Sequence, residues 1–93
     1  MRFNIGDRVK YSRRGFEDTN NGPENGATGI VVETWDEAAE EVTVKFDEPF
    51  RGSWPVRTKC GESLKNCWTF SLSRKGGIDS AENLELLRDW VEI

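Results

Sequence analysis

Ninety-three residues suffice for one domain with a modest core and leave little chain for a deep, enclosed active site. A formal net charge of −4 argues against a simple electrostatic grip on DNA or RNA. The lack of any histidine removes the usual general base, the commonest metal ligand and every Ser–His or Cys–His nucleophile pair. An enzyme, a metal site and a cofactor are therefore not expected.

Residues 3–11 (Phe-Asn-Ile-Gly-Asp-Arg-Val-Lys-Tyr) open with a Gly6-Asp7 turn signal. Val9 and Tyr11 then alternate with Arg8 and Lys10 as a half-buried strand does. Residues 12–27 are polar and rich in turn dipeptides, Asn20-Asn21-Gly22-Pro23 and Asn25-Gly26 among them, which predicts a long loop of a length often used for function. The β-branched run 28–34 (Thr-Gly-Ile-Val-Val-Glu-Thr) is the best strand in the chain, with Gly29 marking a bulge or tight bend. A short acidic connection, 36–41, leads to Val42-Thr43-Val44-Lys45-Phe46. Its alternation sends Val42, Val44 and Phe46 to the core and Thr43 and Lys45 to water, and the two strands form a hairpin.

A second long irregular stretch is predicted over 47–66, broken by Pro49, Gly52, Pro55 and Gly61. Cys67-Trp68-Thr69-Phe70 reads as a short aromatic strand whose rings belong to the core, and 71–83 is turn-like around Gly76-Gly77. The segment 84–93 is ambiguous. As a strand it follows a short helical turn at Ser80-Ala81-Glu82-Asn83; as a helix capped by Ser80 it aligns Leu84, Leu87 and Val91. The strand is favoured. Trp90 suits either a cover for one end of the core or a contact between copies.

Two cysteines, Cys60 and Cys67, fall short of the four ligands of a tetrahedral zinc site. Cys67 suits core packing and Cys60 an exposed loop. Residues 1–14 lack the apolar stretch of a signal peptide, and no segment approaches the ~20 apolar residues of a membrane helix. The expected setting is cytoplasmic, with reduced thiols and no membrane partner.

The segments Gly6-Asp7-Arg8-Val9-Lys10, Gly26-Ala27-Thr28-Gly29-Ile30-Val31-Val32-Glu33 and Val42-Thr43-Val44-Lys45-Phe46-Asp47 resemble the first three strands of small SH3-like β-barrels of the KOW, Tudor and mind-bomb type. The ending, Trp68-Thr69-Phe70 and then Ser80-Ala81-Glu82-Asn83-Leu84-Glu85-Leu86-Leu87, is similar to the close of uncharacterised single-domain proteins of bacteria and phages. The resemblance covers about two-thirds of the chain. It implies an all-β fold over residues 1–93: a five-stranded, partly open SH3-like barrel with two long loops and a short helical turn before the last strand. It implies no activity, because fold alone does not set function. The Gly-Lys-Asn-Asp-Gly signature of CAP-Gly domains is absent. A methyl-lysine cage needs rings clustered about a cation; Tyr11, Trp35 and Phe50 are the rings available, and their spacing does not establish that they meet.

Charge is blocked along the chain. Residues 1–16 carry Arg2, Arg8, Lys10, Arg13 and Arg14 against Asp7. Residues 17–48 carry Lys45 as their one cation, and 51–75 carry six cations against Glu62. The stretch 49–59 interleaves Phe50 and Trp54 with Arg51, Arg57 and Lys59. That mixture suits protein hot spots, which favour Trp and Arg, and also base stacking with phosphate contact. Arg13, Arg14 and Phe16 from the first long loop join the same candidate face, and Trp35 completes the set. Two functions follow as expectations: a non-catalytic protein-interaction or regulatory accessory module, and as the alternative a nucleic-acid-binding domain. The position of the cations discriminates them: a basic face favours nucleic acid, and interspersed carboxylates favour a protein partner.

Overall fold

The computed structural model describes residues 3–13, 21–35, 40–57 and 61–87, with Trp54 described by its backbone alone. It is all-β. The strands are β1 (Arg8–Tyr11), β2 (Thr28–Trp35), β3 (Glu41–Phe46), β4 (Trp54–Arg57), β5 (Ser63–Ser71) and β6 (Leu84–Leu86), with a 3₁₀ turn at Ala81–Asn83 before the last. All pairings between strands are antiparallel, in the order β4-β5-β3-β2-β1-β6.

The described strands number six rather than the expected five. The stretch 47–66 is not irregular throughout: it holds β4 and the first half of β5. Pro55 in β4 masked the strand in the sequence, since proline cannot donate to a ladder; it is tolerated here because β4 is an edge. The hairpin of β2 and β3 forms as expected, as do the 3₁₀ turn capped by Ser80 and the strand at Leu84. The acidic connection at 36–39 and the end of the chain from 88 onward, Trp90 and Val91 included, lie outside the described residues.

One face of the sheet forms the core. Val9, Tyr11, Val31, Val42, Val44, Phe46, Phe70 and Leu84 are buried together, with Phe50, Trp68 and Leu86 partly buried against them. The registers explain why these residues share a face. Val31 stands opposite Val44, Val44 opposite Trp68, Val42 opposite Phe70, and Leu84 opposite Tyr11, and side chains at paired positions point the same way. The aromatic rings meet mostly edge to face: Tyr11 and Phe46 lie 6.4 Å apart at 80°, Phe46 and Phe50 5.7 Å apart at 89°. Each such pair adds roughly 0.5–1.5 kcal/mol beyond its area burial. The Tyr11 hydroxyl escapes the cost of burial by donating to the Ile78 carbonyl at 3.1 Å.

Gly29 is needed for close approach. A Cβ there would sit 2.6 Å from the Lys45 carbonyl oxygen and 2.9 Å from Phe46 Cα. The bulge that the glycine suggested lies further along, between Val31 and Glu33. It has a physical use. In a regular strand Val31 and Glu33 would point to one side; the extra residue keeps Val31 in the core and turns Glu33 beside Thr43 on the other face.

Thr43 departs from its expected exposure. It lies on the face away from the core, as the alternation predicts, yet is 1% exposed. The half-buried Trp35 donates its indole N–H to Thr43 Oγ1 at 3.4 Å, and the Thr43 and Thr69 hydroxyls meet at 2.9 Å. The second face thus carries a small polar cluster of its own.

Candidate functional site

Two loops meet at one end of the sheet. The first loop returns through 21–27, the second is 47–53, and β4 follows it. Arg13 organises the first: its N–H donates to Asn25 Oδ1 at 3.0 Å, and its guanidinium to the carbonyls of Pro23 at 2.9 Å and Asn21 at 3.5 Å. Gly22 N–H donates to the Arg51 carbonyl at 2.8 Å, which ties the first loop to the second. Gly52, at φ +87°, is pressed against Asn21: a Cβ on it would lie 2.9 Å from Asn21 Cβ. A non-glycine residue there would meet both a steric contact and an unfavourable left-handed backbone.

Two open clefts flank this contact. The first, of 290 Å³, is lined by residues of both loops, among them Glu24, Glu48, Pro49 and Phe50. The second, of 330 Å³, is lined by Asn21, Gly52, Val56, Cys67, Trp68 and Thr69. Phe50 connects them, because it lines the first and meets Trp68 of the second at 5.7 Å. A third cleft, of 310 Å³, is lined by Phe3, Leu72, Lys75, Ala81, Glu82 and Leu84, and its Lys75 and Glu82 approach to 3.8 Å.

Of the residues singled out by sequence, Arg13 and Arg51 are brought to the same 21–23 segment, with Phe50 beside them. Arg51 is exposed; Arg13 is half-buried, with its donors turned to loop carbonyls. Phe50 is half-buried among Phe46 and Trp68. Arg57, on β4, is exposed and opposite Ser63, and it donates to the Gly61 carbonyl at 3.4 Å. The Trp54 backbone pairs with Cys67. Trp35 does not join this group; it lies on the far face over Thr43. Tyr11 is fully buried against Phe46 and Phe70, so the three rings considered for a cage do not converge. Arg14, Phe16, Lys59 and the side chain of Trp54 lie outside the described residues, as does Cys60.

Sequence reasoning missed Glu24 and Glu48, which share the cleft with Phe50. It also missed Asn21, Val56 and Thr69, which line its neighbour. The turn signals around Gly22, Pro23 and Gly52 located the loops but not their contact.

The ionisable groups are tuned by structure more than by chemistry. Burial raises the Cys67 thiol above its ordinary value, with Lys45 opposing, so the nucleophilic thiolate is disfavoured. Burial likewise raises Tyr11. Asp47 is lowered to about 2, first by hydrogen bonding to Arg8 and then to Thr28. Among the described residues no group of three Cys, Asp or Glu side chains is placed to hold a metal ion, and no helix is long and apolar enough to cross a membrane. No protein family, curated protein sequence or solved structure matches the chain.

Proposed function

We propose that this chain is a non-catalytic protein-interaction module, a regulatory accessory protein of bacterial or phage origin, built as an SH3-like barrel. Curling of the sheet supports the barrel reading. Ser71 at the end of β5 bridges to Ser80, just before the 3₁₀ turn that enters β6, so the far side of the sheet returns toward its opposite edge strand. The 3₁₀ turn before a final strand supports the same reading.

The observation that carries the function is the mixed charge of the loop end. Glu24 and Glu48 are exposed in the cleft formed by the same two loops that carry Arg13 and Arg51. A polyanion approaching Arg51 would meet these carboxylates, and the guanidinium of Arg13 already serves the backbone. Mixed charges around a half-buried ring suit a protein partner, for which interspersed signs set register and specificity.

Fluorescence anisotropy of labelled random-sequence RNA and DNA, at low and moderate salt, tests this. The expected result is no saturable binding even at low salt. Binding that falls steeply with salt would count phosphate contacts and replace the protein-partner reading with a nucleic-acid one.

A further inference from the structure

The first loop holds two Asn–Gly pairs, Asn21–Gly22 and Asn25–Gly26. An asparagine before a glycine is open to attack by the next backbone nitrogen, because glycine has no side chain to shield it. Asn4, Asn66 and Asn83 precede Ile5, Cys67 and Leu84 instead, whose side chains crowd that approach. The fold treats the two glycine pairs differently.

Asn25 and Gly26 are the central residues of a turn closed by Ala27 N–H, which donates to the Glu24 carbonyl at 3.0 Å. Both are exposed, and the Cβ position of Gly26 faces open space. The Asn25 carboxamide is already oriented: its Oδ1 accepts from Arg13 N–H at 3.0 Å. A donor on that oxygen stabilises the negative charge it gains when a nucleophile adds to the carbonyl carbon. One bond restrains the nucleophile, Gly26 N–H to the Tyr11 carbonyl at 2.7 Å, and an opening of this exposed turn releases it. At Asn21–Gly22 the glycine is buried, and its N–H donates to the Arg51 carbonyl at 2.8 Å. Its Cβ position lies 3.3 Å from Ile78 Cδ1 and 3.8 Å from the Trp68 ring. Freeing that nitrogen means parting the first loop from the second. Opening costs little in exposed segments and rises toward the global unfolding free energy in buried ones.

We propose that Asn25 is a site of self-modification in the folded chain. The Gly26 backbone nitrogen gives up its proton and bonds to Asn25 Cγ, the Cγ–Nδ2 bond breaks, and ammonia leaves. The five-membered imide so formed adds water at either of its carbonyls and opens to aspartate or to isoaspartate, with no change of oxidation state. Aspartate keeps an oxygen for the Arg13 N–H, whereas isoaspartate lengthens the main chain of the turn by one carbon. Either product adds a third carboxylate to the cleft that Glu24, Asn25 and Glu48 line, a one-way change of charge at the loop end. The proposal stands on the two turns and is independent of the binding function above.

Peptide mapping by mass spectrometry tests it on the full chain, held at mildly alkaline pH in buffer and in concentrated urea and sampled over weeks. In buffer, Asn25 is expected to convert at least about tenfold faster than Asn21, since the exposed turn opens more often than the buried contact. In urea, where the fold is lost, the two are expected to convert at similar rates. Ammonia release from the folded Asn25→Gln variant is expected to fall to a small fraction of the parent's, because glutamine must close a six-membered ring. Asn21 converting as fast as Asn25 in buffer, or no conversion of Asn25 until the chain is unfolded, would overturn the assignment. So would ammonia release unchanged in the variant. An equal preference for Asn25 in urea would trace it to the neighbouring sequence and overturn the role given to the fold.

Discussion

Arg8 and Asp47, 39 residues apart, face each other as a two-point pair: Nη1 to Oδ1 at 3.1 Å and Nη2 to Oδ2 at 2.8 Å. Thr28 Oγ1 donates to the same carboxylate at 2.6 Å. One side chain after β3 thereby holds the strand β1 and the start of β2 in register on the face away from the core. The bidentate geometry and the third donor explain why Asp47 is lowered to about 2.

That pairing predicts a pH dependence. A carboxylate lowered in the folded state adds stability above its unfolded value and loses it as pH falls toward the folded value. Asp47→Asn is expected to cost up to about 1 kcal/mol near neutral pH, since the pair is 42% and 43% exposed and screened by solvent. Urea melts of both proteins should converge as pH falls from the ordinary carboxylate range, 3.8 for the free group, toward 2. A gap that does not narrow as pH falls from 3.8 toward 2 would show that Asp47 acts through something other than its charge.

Gly29 and Gly26 predict contrasting costs. Gly29→Ala drives a methyl group to within 2.6 Å of the Lys45 carbonyl, an overlap expected to cost about 2–3 kcal/mol. At Gly26, φ is +87° with open space around the Cβ position. Alanine there is expected to cost only the left-handed backbone penalty, about 1–2 kcal/mol. Equal costs in thermal melts would mean that β2 and β3 separate easily at Gly29.

Phe70 is fully buried and touches both Tyr11 and Phe46. Its replacement by alanine should cost about 3–5 kcal/mol through the lost transfer energy and the cavity left behind. Trp68→Phe should behave differently. It keeps a ring against Phe50 and removes the unpartnered indole N–H, whose burial is itself costly. Denaturant unfolding should place Trp68→Phe within about 1 kcal/mol of the parent, on either side. A loss as large as that of Phe70→Ala would mean the indole nitrogen has a partner.

Cys67 is 2% exposed with its thiol raised by burial. In a Cys60→Ser background, where one thiol reports, an aromatic disulfide reagent should label Cys67 only at the rate of opening or unfolding. Rapid labelling of the native protein at neutral pH would contradict the burial.

How much of this was legible in the sequence depends on the range of the interaction. Strand β2 declared itself through its β-branched run, β3 through its alternation, and the turn before β6 through Ser80, which accepts from Glu82 N–H at 3.2 Å. These are local signals, set by backbone preference and side-chain period within a few residues. The missing histidines and the paucity of thiols likewise narrowed the chemistry before any fold was known. Strand β4 was hidden because Pro55 reads as a breaker, and only an edge position with β5 on one side makes it a strand.

The candidate site lies almost wholly beyond local signals. The sequence marked Phe50 and Arg51 as a mixed aromatic and cationic stretch, and it is the fold that buries half of Phe50, occupies Arg13 with loop carbonyls and sets Glu24 and Glu48 beside them. Thr43, polar by pattern, is buried because its hydroxyl is held by Trp35 from β2 and Thr69 from β5. Thr69 has no backbone partner among the described residues on the β4 side because β4 begins only at Trp54, opposite Cys67, while β5 runs on to Ser71. Composition and periodicity set which residues seek the core; strand register, which joins residues tens of positions apart, decides which polar groups the sheet buries and which it leaves without a backbone partner.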